Sequence, residues 1–153
     1  MALAYGIAAV GKTTGADRSR AVELLEKAVR ESPDDAEVLL FLAEIYRTDG
    51  KNALARPLYE RAIALDPGQV TGSVGLGGVM MERGEYQEAI RLWTDALAKN
   101  AGLELVRLNL AVALLRVGRV EEAKTHLKKA LDLNPAFAPA VEMQEKIAHL
   151  AAR

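Results

Sequence analysis

Residues 6 to 13, Gly6-Ile7-Ala8-Ala9-Val10-Gly11-Lys12-Thr13, satisfy the pattern G-x-x-x-x-G-K-T. In that pattern the backbone N–H groups of a glycine-rich loop cradle phosphates and the lysine reaches them. The chemistry needs a buried strand before the loop, a helix after it, and an aspartate on the magnesium side. Only five residues precede Gly6, no apolar run ends in an aspartate, and the rest of the chain offers no strands for a parallel sheet. The stretch therefore reads as a small-residue helix, with nucleotide binding through GIAAVGKT kept as a distant alternative.

Other residues that could do chemistry are scattered. His126 falls on the outward side of a helix, and His149 follows Glu145 by four residues, the spacing of a solvated pair. Asp17 and Asp34-Asp35 precede helices, where short acceptor side chains cap unsatisfied N–H groups. The chain has no cysteine, so disulfides and thiolate metal sites are excluded. No nucleophile and base share a face. The expectation is a protein without catalytic residues, cofactor or metal.

What positions these residues is a repeat. Ala21, Ala55, Ala89 and Ala123 follow one another at intervals of 34 residues, as do Ala28, Ala62, Ala96 and Ala130. Leu25, Tyr59, Trp93 and Leu127 keep the same interval, and so do Leu42, Leu76 and Leu110 and the glycines Gly50, Gly84 and Gly118. A fixed period of this size means that each unit is one supersecondary element whose apolar face is buried by its neighbours. Within one period, residues 36–48 carry apolar side chains at helical spacing (Leu39, Leu42, Ala43, Tyr46). Gly50 then breaks the pattern. Residues 53–65 give a second stripe at Ala55, Tyr59 and Ala62, ended by Asp66-Pro67. The alanines stand where two helices touch, because a methyl group lets the backbones approach.

This pattern resembles the tetratricopeptide repeat, whose signature reads W-L-G-Y and then A-F-A-P. Residues 36–69 carry Leu39, Leu42, Ala43, Tyr46, Ala55, Tyr59, Ala62 and Pro67 at the eight places. Residues 70–103 carry Ser73, Leu76, Gly77, Met80, Ala89, Trp93, Ala96 and, in place of proline, Ala101. Residues 104–137 carry Arg107, Leu110, Ala111, Leu114, Ala123, Leu127, Ala130 and Pro135. The resemblance implies an all-α fold, a right-handed solenoid of antiparallel helix pairs, in a single domain over residues 1–153. Its repeats would be 2–35, 36–69, 70–103 and 104–137, and a capping helix 138–153. The expected helices are 3–13, 17–31, 36–48, 52–65, 70–82, 86–99, 104–116, 120–133 and 139–151, with Pro57 distorting the start of its own. The last helix places Ala140, Met143, Ile147 and Leu150 on one narrow side, as an end cover should. The first repeat has no such cover, so the chain reads as a piece of something longer.

Half the residues are apolar, 27% are charged and the formal net charge is −1. Nothing approaches a membrane span of about 18 apolar residues, and the opening residues lack the basic region of a secretory signal. Mixed charge along every helix argues against nucleic acid or an anionic membrane as partner. A cytoplasmic location is the default expectation, unless the piece comes from a longer exported protein.

Function then falls to the inner, concave surface, which in the resembled family is lined by the first helix of each repeat. Carrying its positions across gives Glu37, Leu40, Phe41, Glu44 and Arg47 in the second repeat. The third contributes Thr71, Val74, Gly75, Gly78, Met81 and Glu82, and the fourth Leu105, Leu108, Asn109, Val112, Leu115 and Arg116. The floor reads as apolar, with Leu108 and Gly78 open to a partner. Some co-chaperones of the family grip a carboxylate with lysines, asparagines and an arginine, whereas the matching places here hold Leu40, Glu44, Gly75, Leu105 and Asn109. That clamp is absent. The helix VTGSVGLGGVMME carries glycines at 72, 75, 77 and 78, each beyond Gly77 costing about 0.5 to 1 kcal/mol relative to alanine. They form either a side-chain-free notch for a partner or a site of tight packing. The leading expectation is a protein-protein interaction module for a peptide, a helix or the rest of its own chain. The alternative is self-association with a second copy.

Overall fold

The computed structural model describes residues 15–151, with side chains over 18–149. The G-x-x-x-x-G-K-T stretch and the helix expected over 3–13 lie outside the described residues. The chain divides into two compact units, residues 1–79 and 80–153. The division falls inside one continuous helix, between Val79 and Met80, and each unit is described by itself.

The described residues form eight helices: α1 (Gly15–Glu31), α2 (Ala36–Thr48), α3 (Asn52–Leu65), α4 (Val70–Glu82), α5 (Tyr86–Lys99), α6 (Glu104–Arg116), α7 (Val120–Leu133) and α8 (Ala138–Ala151). The expected bounds hold except at the ends, where α1 begins at Gly15 and α8 at Ala138. Asp17 consequently lies inside α1 and is not its cap. Asp35 does cap α2, its carboxylate accepting from the N–H groups of Glu37 and Val38 at 3.1 and 3.2 Å. Pro57 stands inside α3 without ending it. It faces solvent, so what it takes from the helix is the one N–H that would reach the Ala53 carbonyl.

The same turn closes each helix pair. Gly50, Gly84 and Gly118 adopt φ of 71°, 77° and 79°, the left-handed region that glycine enters without a Cβ penalty. In each, the glycine N–H and that of the next residue fold back onto the helix end. Gly50 and Lys51 donate to the Arg47 and Tyr46 carbonyls at 2.9 and 2.8 Å, and the pairs at 84/85 and 118/119 repeat the arrangement. The second helix of each pair ends on a side-chain turn. Asp66 accepts from Gly68 and Gln69, Asn100 from Gly102, and Asn134 from Ala136.

In the first unit α2 packs against α1 and α3; in the second α6 packs against α5 and α7, and α8 covers α7. The small-residue places do as their size demands: Ala55, Ala89, Ala123 and Ala130 have no exposed surface. Tyr59, Trp93, Leu25 and Leu127 are the large buried side chains beside them. Arg18 ties α1 to the end of α2, donating to Asp49 at 2.7 Å and to the Thr48 hydroxyl at 2.5 Å. Among the described side chains of α8, which stop at residue 149, Ala140 and Ile147 are buried, a narrow stripe with polar residues around it. Among the described residues no helix is long and apolar enough to cross a membrane.

Candidate interaction surface

In the first unit the groove-side places of α2 hold a polar network. Glu44 and Arg47 are one helical turn apart, and the guanidinium forks onto the carboxylate, with Nε donating to Oε2 at 3.0 Å and Nη2 to Oε1 at 2.6 Å. The Tyr59 hydroxyl arrives from α3 and donates to Glu44 Oε2 at 2.6 Å. Burial alone pushes the Glu44 carboxyl up, but the bonds from Arg47 and Tyr59 outweigh it and leave it below the ordinary carboxylate range. Burial, reinforced by the bond to Glu44, pushes the Tyr59 phenol far above its ordinary value. At neutral pH this is a fixed carboxylate–guanidinium–phenol triad. Charge-assisted bonds of this kind are short and strong.

The glycines of α4 explain themselves against this network. A Cβ on Gly75 would collide with the Tyr59 ring and stand 2.7 Å from its hydroxyl oxygen. On Gly72 it would lie 2.8 Å from Ile63 Cγ1. The space at Gly75 is therefore filled by this chain's own tyrosine, which decides for tight packing over a notch there and takes Gly75 out of the partner-binding positions. Gly78 differs: the nearest atoms to a Cβ there belong to the Arg47 side chain, from Cδ at 3.5 Å outward, all at ordinary contact distance.

Two further groove residues need correction. Leu40 and Leu108 are each 8% exposed, so they pack inside their units and do not form an open floor. Their place in the repeat is the same, the fifth residue of the first helix, on the side that packs inward. The open positions are their neighbours. Leu105 is 58% exposed, and Asn109, Val112, Leu115, Val74, Met81 and Phe41 are half-buried.

His126, expected outward, is half-buried on α7 with a buried Nδ1 that has no hydrogen-bond partner. Burial, with help from the charges of Arg107 and Lys129, holds its imidazole below the ordinary value. Arg107 fills the place of a large signature residue on α6, and its Nη2 donates to the Ala101 carbonyl at 2.8 Å. Tyr46 bonds Glu26 of α1 at 2.5 Å, and burial followed by that carboxylate pushes its phenol up to about 12. No group of three or more His, Asp or Glu side chains able to hold a metal ion occurs among the described residues.

The apolar stripe of residues 53–65 includes Tyr59 and by itself assigns no partner to its hydroxyl. The signal was available: the family's signature has phenylalanine there, and a phenol so buried needs an acceptor.

Two family models described as tetratricopeptide repeat match residues 15–70 and 80–147. The solved MamA AMB-1 structure is 31% identical, with a TM-score of 0.76 over 88% of this chain and 78% of its own. The chain belongs to the tetratricopeptide repeat family. Its fold class is the all-α helix-pair solenoid of these relatives. The solved TPR protein YrrB, described as having an unusual peptide-binding site, has a TM-score of 0.77 over 83% of this chain and 66% of its own. At 21% identity that likeness shows the fold alone. Among curated proteins, a DnaJ homolog subfamily C member 7 homolog of Schizosaccharomyces pombe is 25% identical over 146 residues. The match covers 85% of this tetratricopeptide repeat chain and 31% of the relative, and the chain covers 8% to 10% of the other curated relatives it matches.

Proposed function

We propose that this tetratricopeptide repeat chain is a non-catalytic scaffold, and that the groove-side faces of its first helices receive a segment of a partner protein. The observation that carries the reading is on α6. Val106, Leu108, Leu110, Ala111, Ala113 and Leu114 are buried, while Leu105 stands 58% exposed, with Val112 and Leu115 half-open on the same side. An apolar side chain held out by a helix that buries so many others is what a docking face offers. That YrrB is described as having a peptide-binding site makes an extended segment the natural occupant to test.

Leu105→Glu places a charge on this face without entering the core. The variant should keep its melting temperature and lose captured partner in a pull-down, while Lys128→Glu on the exposed side of α7 should do neither. Light scattering of the same samples separates a foreign partner from a second copy. Retained capture by Leu105→Glu together with loss in Lys128→Glu would move the docking face to the second helices and end this reading. Leu108→Glu is unsuitable as a probe, because it would bury an unpaired charge and act through stability.

A further inference from the structure

We propose that the groove-side face of α2 is a seat for one cationic side chain, a lysine or arginine carried by an otherwise apolar partner segment. The proposal rests on the scaffold reading above and adds the chemistry of the partner to it.

Glu37, Phe41 and Glu44 follow one another at spacings of four and three along α2, so they share one helical stripe. Glu37 is exposed and has no ion pair among the described residues; its backbone N–H donates to Asp35, and its carboxylate makes no hydrogen bond there. Phe41, between Glu37 and Glu44 on the stripe, is half-buried. Glu44 is held as a carboxylate by Arg47 and Tyr59, but its two oxygens are unequally used. Oε2 accepts from both Arg47 Nε and the Tyr59 hydroxyl, while Oε1 accepts only from Arg47 Nη2. A carboxylate oxygen has two lone pairs, so Oε1 retains an acceptor site.

The stripe therefore offers an unpaired carboxylate, an aromatic ring and a second, partly used carboxylate in succession. A cation lying over a ring face with acidic groups on either side gains from all three. Arg47, the cation of this face, does not reverse the preference, since its Nε and Nη2 are already committed to Glu44. An acidic segment would meet Glu37 first, and Arg47 answers only one of the two carboxylates of this face. The half-buried setting of Glu44 also screens it less than a fully solvated charge. The corresponding places on α6 are Leu105, Asn109 and Val112, two periods further along, and none is charged. The preference for a cation accordingly belongs to α2.

The test uses the full chain and three capped heptapeptides of alanine and leucine that differ only in a central lysine, glutamine or glutamate, read by fluorescence anisotropy. The lysine peptide should bind at least about tenfold more tightly than the glutamate peptide, a difference that shrinks as salt is raised. Glu37→Lys should weaken the lysine peptide by about tenfold and bring the glutamate peptide level with it. Glu60→Lys, which makes the same charge change on the outer helix α3, should alter binding less than twofold. Circular dichroism melts confirm that each variant is folded, and Glu37→Gln provides a neutral substitution that leaves the helix cap to Asp35. Equal binding of the three peptides, unmoved by Glu37→Lys, would overturn the cationic seat while leaving the scaffold reading intact. Equal weakening by Glu37→Lys and Glu60→Lys would reduce the effect to overall charge and overturn it too. Loss of all peptide binding on Leu105→Glu with no effect of Glu37→Lys would place the working face on α6 and reject the seat. Absence of binding by the lysine peptide would reject it outright.

Discussion

The first helices α2 and α6 occupy the same place in their repeats and present different chemistry. Their interior sides are alike, with Leu40 and Leu108 equally buried at 8%. On the opposite side, Glu37, Phe41, Glu44 and Arg47 of α2 occupy the repeat places that α6 fills with Leu105, Asn109, Val112 and Leu115. One face is polar and internally bonded through Tyr59; the other is apolar and open. Packing fixes the interior positions by volume and leaves the groove side to vary, so a repeat array can hold one backbone and change what each turn offers a partner. The polar face needed more than its own helix, because Glu44 is held by Tyr59 of α3 and Tyr59 has room for its ring because α4 has glycine at 75.

The largest way to separate the two units is Trp93→Ala. Trp93 is 2% exposed in the second unit and takes the repeat place that Tyr59 fills in the first. Its truncation should cost about 3 to 5 kcal/mol in chemical denaturation, as buried aromatic deletions do. A parent-like melt would break the equivalence. Next comes Gly75→Ala, in which the added methyl meets the Tyr59 ring; overpacking should outweigh the better helix propensity and cost about 2 to 3 kcal/mol. If the variant melts at or above the parent temperature, the glycine has another cause. Tyr59→Phe keeps the ring and removes the donor to Glu44, with an expected loss of about 1.5 kcal/mol, the scale for hydrogen bonds to charged groups.

Gly78→Ala points the other way. Its methyl finds ordinary contact with Arg47, so helix propensity should win and stabilise by about 0.5 to 1 kcal/mol. The opposite signs at 75 and 78 would confirm that own-chain packing, not a vacancy, explains the first glycine alone. The smallest effect is titrimetric and belongs to the second unit. The His126 imidazole is held below its ordinary 6.5, chiefly by burial, so the folded chain binds fewer protons than the unfolded chain just below that pH. Stability should be full above 6.5 and decline as the pH falls beneath it, and His126→Gln should flatten that limb of a melting-temperature profile. An unchanged slope would remove His126 from the account.

The repeat made most of this legible in advance. Spacing of apolar residues set the helix bounds from 36 to 133, because alanine at a helix contact and glycine at a left-handed turn leave few alternatives. Exposure along the first helices was only half legible. Period told which positions lie on the first helices, but at 40 and 108 the face turns inward by a fraction of a helical turn, and a residue letter does not show such a rotation. Nor could Gly75 be interpreted without Tyr59, sixteen residues away on another helix. A glycine marks that space is needed and is silent about what fills it.

The chain has one tryptophan, Trp93, and it lies in the second unit, whereas the buried tyrosines Tyr46 and Tyr59 lie in the first. Nature has thus supplied an optical label on one side of the division. Light absorbed by indole but not by phenol excites the second unit alone, and its emission reports on that unit while circular dichroism sums over every helix. Superimposable unfolding curves from the two signals would mean that the halves melt as one cooperative body; a gap between them would give each half its own stability, read without attaching a dye.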